Sequence, residues 1–226
     1  MISILRKIVP KQVRSMLAKD LIDRYRESLQ RQIDEMPKTA LEDRHIANAK
    51  LLPNRQAMLE RLPRDGVVAE VGVASGDFSA DILRLAQPKS LTLVDMWGSE
   101  RYSERMMKSV ADRFSDEVAD GRVLIKRGLS TEIGVTFEDA SLDWVYIDTD
   151  HSYPTTRDEL AIFSRKVKPG GVIAGHDYVS GNWAGTLPYG VIQAVHEFCA
   201  KEDWEIIYIS VEQDVPRSFA IRKIAG

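Results

Sequence analysis

Short apolar runs alternate with amphipathic stretches from Val67 to the end of the chain. The runs, rich in Val, Ile and Leu, are typical of strands that are buried on both faces. The stretches between them place apolar residues three or four positions apart, as helices do. This alternation predicts an α/β fold built on a doubly wound, mostly parallel sheet. The seven predicted strands are 67–71, 91–94, 123–126, 143–147, 171–175, 205–209 and 218–222.

The N-terminal residues have a different texture. From Lys11 to Met36 the chain is rich in charge, and apolar residues recur every four positions, which predicts one long helix. A second helical stretch is predicted around Pro53, which should end or kink it. We therefore divide the chain into an N-terminal helical cap, 1–62, and a main domain, 63–226. The cap is expected to lie on the main domain or on a second subunit, which would give a homodimer through the N-terminal helices. The functional alternative is a lid over an active site.

The composition limits the classes of partner that the chain is expected to bind. The chain has 226 residues, a hydrophobic fraction of 44% and a net charge of −3, so it can bury one substantial core but has no general field that attracts nucleic acid. A small molecule is the expected partner. Cys199 is the single cysteine and lies in an apolar helical pattern, so it is interpreted as core. No membrane span or signal-peptide core is found in the sequence, and a cytoplasmic location is expected.

The first predicted strand runs into a glycine turn in "VAEVGVASGDF". Gly72 and Gly76 have G-x-x-x-G spacing, which differs from the G-x-G-x-x-G fingerprint of dinucleotide-binding proteins. Glu70 precedes them, and a carboxylate there favours a cationic ligand over a pyrophosphate. Asp95 closes the next strand, where a carboxylate can accept hydrogen bonds from both hydroxyls of a ribose. The alternatives are a tight turn without ligand and, for Asp95, a helix N-cap.

These residues carry a family resemblance. "EVGVASG" and "LVDMW" resemble motifs one and two of the class I S-adenosylmethionine-dependent methyltransferases. "VYIDTDHSYPTTRDEL", "VKPGGVIAGHDY" and "GVIQAVHEF" resemble the family 24, or macrocin O-methyltransferase-like, branch. The resemblance covers roughly Asn54 to Arg222. It implies a Rossmann-like fold, S-adenosylmethionine as cofactor, and transfer of its methyl group to a hydroxyl of a small molecule such as a sugar or a phenolic natural product.

The resemblance also implies roles for single residues. Gly72 and Gly76 would let the backbone approach the methionine part of the cofactor, while Glu70 would favour its ammonium or order the turn. Asp95 would bind the ribose hydroxyls, with Met96 and Trp97 against the adenine and with Gly128 and Ser130 near the adenine edge. The implied cofactor-binding residues are Glu70, Gly72, Ser75, Gly76, Asp95, Met96, Trp97, Gly128, Ser130 and Asp148.

Acidic and imidazole side chains follow two further strands. Asp148 and His151 lie in "YIDTDHSY", and His176 and Asp177 lie in "GHDY". Asp148, His176 and Asp177 are predicted to hold a divalent cation, Mg or Mn, although imidazole suits Zn, Mn or Fe better than Mg. Related O-methyltransferases have an Asp-Asn pair where this chain has His176-Asp177. His151 and Asp148 are the predicted catalytic residues, with His151 as the metal-free general base. The alternative is that the carboxylates cap helices.

The sequence leaves open the role of one loop and several alternative functions. The loop 179–190, with Trp183 and Tyr189, is expected to shape the acceptor pocket or to be a solvated connection. An oxygen acceptor is favoured because "IDTDH" stands where enzymes that methylate nucleobase amines have an Asp-Pro-Pro-Tyr type of motif. The alternatives are a catalytically inactive cofactor-binding scaffold, a nicotinamide-dependent oxidoreductase, although no Tyr-x-x-x-Lys pair is present, and an iron oxygenase, which would need a facial triad.

Overall fold

A central sheet organises the chain. The computed structural model describes residues 11–182, 187–213 and 215–225, with side chains from residue 16 onward. Within those residues the sheet has eight strands. They are β1 (Lys50–Leu52), β2 (Val67–Val71), β3 (Ser90–Asp95), β4 (Val123–Arg127), β5 (Leu142–Ile147), β6 (Val167–Gly175), β9 (Trp204–Ser210) and β10 (Phe219–Lys223), while β7 (Gly181–Asn182) and β8 (Leu187–Pro188) pair separately.

The strand order is β1-β9-β10-β6-β5-β2-β3-β4. Strand β10 runs antiparallel to both of its neighbours, and the other pairings are parallel. The predicted α/β, doubly wound, mostly parallel sheet is therefore confirmed. The predicted number of seven strands is wrong by one, because β1 adds a three-residue edge strand beside β9. A run this short carries too few residues for its alternation to be recognised.

Helices cover both faces of the sheet and enclose two hydrophobic cores. One core includes Met58, Ile82 and Trp144, and the other includes Phe163 and Val195, all of them fully buried. The helices are α1 (Lys11–Glu35), α2 (Arg55–Leu59), α3 (Asp77–Asp81), α4 (Glu104–Arg113), α5 (Ser115–Ala119), α6 (Ser130–Gly134), α7 (Tyr153–Lys166) and α8 (Val191–Glu202), with a 3₁₀ turn at Asp43–His45 and a π turn at Ile82–Ala86.

The region around Pro53 differs from its prediction. Strand β1 ends at Leu52, before the proline, and α2 begins at Arg55. The Asn54 side chain caps α2 by accepting a hydrogen bond from the Ala57 N–H at 2.8 Å. Met58 and its neighbours then pack into the core. Residues 50–62 therefore contribute to the sheet and core, while the division of the chain at residue 62 stays a prediction.

The long helix predicted from Lys11 to Met36 is α1, which ends one residue earlier, at Glu35. Met16, Leu17 and Leu21 on this helix are more than half exposed. The homodimer through these helices stays a prediction. Among the described residues, no helix is both long and apolar enough to cross a membrane. Cys199 is fully buried, and burial raises the pKa of its thiol to about 12, which agrees with the core interpretation.

The strand order fixes where a ligand can sit. From β2 the chain moves outward through β3 and β4 on one side, and then crosses to β5 and β6 on the other side. The order reverses between β2 and β5. In open α/β sheets the crevice at the carboxyl ends of the strands beside such a reversal is the usual ligand site.

Candidate functional site

The turn after β2 is in direct contact with the end of β5. Gly72 has φ +92°, and a Cβ there would lie 1.8 Å from the carbonyl oxygen of Asp148. Only glycine fits this position, because a methyl group would overlap the neighbouring backbone and the dihedral is one that L residues avoid. Gly76 has φ +78° and forms the N-cap of α3 against the Phe114 ring. Gly72 thus joins the two central strand ends.

Asp95, at the end of β3, organises the same turn. Its Oδ2 accepts hydrogen bonds from the backbone N–H groups of Val73 and Ala74, each at 2.9 Å. Its Oδ1 accepts one from the Trp97 N–H, also at 2.9 Å. A carboxylate has about four acceptor positions, so one remains for a ligand. The side chain therefore holds a loop, not a helix N-cap, and still lines the cavity described below.

Trp97 and Met96 play different structural parts. Trp97 is 1% exposed and adopts φ +40°, and its indole N–H donates to the Ala74 carbonyl oxygen at 3.1 Å. The ring supports the turn from within the core. Met96 is 45% exposed and offers its side chain to solvent. Of the two residues expected beside an adenine, Met96 is the accessible one.

These residues border a cavity of about 670 Å³ at the carboxyl ends of the central strands. All the predicted cofactor-binding residues line it except Gly76, which packs beneath the turn. The predicted catalytic residues Asp148 and His151 line it as well. Sequence reasoning missed several lining residues, for which no motif gave a signal: Arg55, Phe78, Tyr102, Leu129, Thr131, Thr155 and Asp158.

Glu70 is a buried carboxyl in the wall of this cavity. It is 1% exposed, and the Ser79 hydroxyl donates a hydrogen bond to its Oε2. Burial raises the pKa of Glu70 to about 8, so the carboxyl is protonated at neutral pH. A cationic group placed beside it would favour the ionised form. Glu70 therefore suits a cationic ligand, as its sequence position indicated.

A second group of side chains lies where β5 and β6 end. The Asp148 N–H donates to the Val71 carbonyl oxygen at 2.7 Å, and the His176 N–H donates to that of Ile147 at 3.0 Å, so both strands continue their pairing to this edge. Ligand atoms of Asp148, His151 and Asp177 lie within 4.8 Å of one another. Burial, as the largest cause, raises the pKa of Asp148, with the nearby Asp177 carboxylate adding to the shift.

His151 joins the two aspartates in this group, while the role of His176 as a metal ligand stays a prediction. The left-handed conformation of His151, φ +63°, turns its ring toward Asp177, and its Nε2 lies 3.0 Å from the Asp177 Oδ2. His176 lies beside the group, with Nδ1 3.4 Å from Asp177 Oδ2 and 3.7 Å from Asp148 Oδ2. Two carboxylates and one imidazole are a donor set that fits a divalent cation such as Mn²⁺, Zn²⁺ or Fe²⁺.

Two neighbouring features complete the site. The Asp150 carboxylate accepts hydrogen bonds from the Ser152 N–H at 3.0 Å and the Thr155 hydroxyl at 2.9 Å, so it stabilises the start of α7. The Tyr189 ring lies 4.8 Å from the His151 ring, so this residue of the predicted loop is beside the cluster. Trp183, the other aromatic residue named in that loop, lies outside the described residues.

Comparison with known proteins gives one family and a set of similar folds. A family model described as a methyltransferase domain, family 24, matches residues 69–178. No curated protein matches the chain. A structure assigned as an rRNA-methylase from Clostridium thermocellum has a TM-score of 0.58 and 14% identity, with 77% of this chain and 98% of that chain covered.

Two further structures carry methyltransferase assignments. One, from Streptococcus mutans and in complex with SAH, has a TM-score of 0.55 and 12% identity over 75% of this chain and 96% of that chain. Another, assigned as a sarcosine dimethylglycine methyltransferase from Galdieria sulphuraria, has a TM-score of 0.44 and 20% identity, and the chain spans only 43% of it. The macrocin O-methyltransferase-like branch stays a prediction. Residues 69–178, which include the glycine turn, Asp95 and Asp148, match the family 24 methyltransferase domain.

Proposed function

We propose that this protein transfers the methyl group of S-adenosylmethionine to a hydroxyl oxygen of a small molecule. One observation carries the proposal: a single cavity of about 670 Å³ is bordered both by the glycine turn with Asp95 and by Asp148 and His151. A cofactor held by the first group would present its reactive end to the second group. The two halves of a transfer site are thus contiguous.

The proposed orientation of the cofactor follows from which groups in the cavity wall are available to contact it. The remaining acceptor position of Asp95 would take a ribose hydroxyl, and the exposed Met96 would pack on the adenine together with Gly128 and Ser130. Glu70 would face the ammonium of the methionine part. Gly72 and Ser75 would border the same part through the turn, with Trp97 supporting the turn from below.

The reaction needs alignment more than activation. The acceptor oxygen attacks the methyl carbon, the carbon–sulfur bond breaks, and S-adenosylhomocysteine leaves with the electron pair on sulfur. Because the sulfonium is already reactive, holding oxygen, carbon and sulfur in line supplies the largest contribution, on the order of 7–11 kcal/mol in well-oriented systems. This is why the cofactor turn matters more than any single base.

In the absence of a bound cation, His151 is the proposed acceptor of the hydroxyl proton. Its Nε2 donates to the Asp177 carboxylate, which leaves the lone pair on Nδ1 free to accept a proton. Asp177 therefore acts as a positioning residue. A divalent cation held by Asp148, His151 and Asp177 would supply Lewis acidity that lowers the pKa of the acceptor hydroxyl.

The choice of oxygen in a small molecule rests on two observations. The residues after β5 read "IDTDH", without the Asp-Pro-Pro-Tyr type of motif of enzymes that methylate nucleobase amines. The net charge of −3 provides no general attraction for nucleic acid. A sugar or a phenolic compound is the proposed acceptor class.

Calorimetry with S-adenosylhomocysteine and, separately, NADH tests the cofactor. We expect the first to bind and the second not to bind, and the reverse result would eliminate the proposal in favour of an oxidoreductase. Incubation with methyl-labelled S-adenosylmethionine and a panel of sugars and phenols then tests transfer. Label recovered in a methyl ether supports an O-methyltransferase, whereas cofactor binding without transfer to any acceptor favours the inactive scaffold.

A further inference from the structure

Arg55 places a positive charge in the wall of the cavity. It is the first residue of α2, its side chain is half-buried, and it lines the same cavity as Glu70 and Asp148. Among the described residues, no carboxylate lies within ion-pair distance of its guanidinium, although the chain pairs many of its other arginines. A cation that faces a cavity without an ion-pair partner suggests a ligand that supplies the negative charge.

The backbone and side chain of Arg55 are both held in place. Asn54 caps α2, and the Arg55 backbone N–H donates to the Glu212 Oε1 at 2.5 Å. The guanidinium lies over the Phe78 ring, 4.6 Å from its centroid. A guanidinium stacked on an aromatic face keeps its N–H groups in the ring plane free for hydrogen bonds. The group is thus preorganised before a ligand binds.

Arg55 lies at one end of the cavity. Phe78 packs on the Tyr146 ring of β5, with ring centroids 4.3 Å apart. Arg55 and Phe78 line the cavity together with Glu70 of β2 and with Asp148, which follows β5. Arg55 therefore lies at the β2 and β5 end, where the proposed function puts the methionine part of the cofactor.

Of the charged groups in the methionine part of the cofactor, one is negative and can pair with a guanidinium. The methionine moiety carries a sulfonium, an ammonium and a carboxylate, and only the carboxylate attracts an arginine. We propose that Arg55 binds the α-carboxylate of the cofactor, an inference that rests on the proposed function. The planar guanidinium matches a carboxylate with two parallel N–H···O bonds, and such charge-assisted pairs are among the strongest hydrogen bonds in proteins. The ammonium then faces the acidic side chains.

Calorimetry with two ligands tests this assignment on the full chain. The ligands are S-adenosylhomocysteine and its decarboxylated analogue, which keeps the adenosine, the sulfur and the amine. Arg55→Met should weaken S-adenosylhomocysteine binding by at least about tenfold, while binding of the analogue changes by less than about threefold. Arg55→Lys should retain part of the preference for the carboxylate. Arg61→Met, at an exposed arginine just beyond the same helix, is the matched control and should bind both ligands like the wild type.

The outcomes separate this inference from the proposed function. Equal affinity of the wild type for both ligands, or an equal loss for both in Arg55→Met, would overturn the role of Arg55 and leave the cofactor assignment intact. Failure of the wild type to bind either ligand would overturn both. If Arg55→Met unfolds at a lower temperature than Arg61→Met, the comparison is made with Arg55→Lys. For the inference to stand, the preference of Arg55→Lys for S-adenosylhomocysteine over the decarboxylated analogue must be smaller than that of the wild type.

Discussion

The buried carboxyl of Glu70 makes the stability of this fold fall as pH rises. Its pKa in the folded chain is about 8, against an ordinary value of 4.5. Between these values the unfolded chain has released a proton that the folded chain still holds, so the folded state binds more protons. The free energy of unfolding therefore decreases with pH across this window, and the contribution is complete only below the unfolded pKa.

The size of the effect follows from the two pKa values. One pKa unit corresponds to about 1.4 kcal/mol, so the interval from 4.5 to about 8 corresponds to roughly 5 kcal/mol. Glu70→Gln keeps the shape and an acceptor for the Ser79 hydroxyl but cannot ionise. Relative to the wild type, the variant should therefore gain roughly 3–4 kcal/mol of stability between about pH 5 and about pH 8. Glu159, whose pKa burial raises to about 7, adds the same trend to both proteins and cancels in the difference.

Urea unfolding at these two pH values measures the difference. The wild type, Glu70→Gln and a control, Glu138→Gln, are compared, because Glu138 is exposed. We expect the control to follow the wild type, while Glu70→Gln loses less stability at the higher pH. If Glu70→Gln and wild type ran parallel to within about 0.5 kcal/mol, the carboxyl would ionise as it does in water, and its burial in the cavity wall would be wrong.

Three further predictions test other parts of the site. Asp95→Ala should weaken S-adenosylhomocysteine binding at least about tenfold in calorimetry, because a charge-assisted acceptor is lost, and an unchanged affinity would remove its ribose role. Gly72→Ala should lower the free energy of unfolding by about 2–5 kcal/mol in urea, since its Cβ would meet the Asp148 carbonyl oxygen; a stability like that of wild type would contradict that contact. Excess chelator should abolish methyl transfer if a cation is required, whereas full activity would leave proton removal to His151 alone.

The strands were predictable where burial on both faces produces continuous apolar runs. Strand β2 has the predicted bounds 67–71, five of the other predicted strands extend one or a few residues further, and β10 begins and ends one residue later than predicted. Strand β1 was missed because it has only three residues, Lys50–Leu52, which is too short a run for a strand pattern to be recognised. The prediction of one helical stretch around Pro53 was wrong for a related reason. The proline separates a short edge strand from α2, and a periodicity window long enough to detect a helix includes both elements.

The site was predictable where its residues follow a strand. Glu70, Asp95 and Asp148 end central strands, so topology alone brings them to one cavity. His151 and Asp177, which lie together, both have left-handed backbone conformations, and a sequence pattern does not reveal these. Arg55 reaches the cavity from a helix outside the alternating region, and its place depends on how that helix packs.

The close approach of Gly72 to the Asp148 carbonyl has a practical consequence for engineering. The turn at Gly72, which would bind the cofactor, and the end of β5 at Asp148 are in direct backbone contact. There is no space between them for even one methyl group. Shifting either segment alone would open a gap or create an overlap. Anyone who transplants a turn from a relative to alter cofactor preference should therefore exchange both segments as a unit.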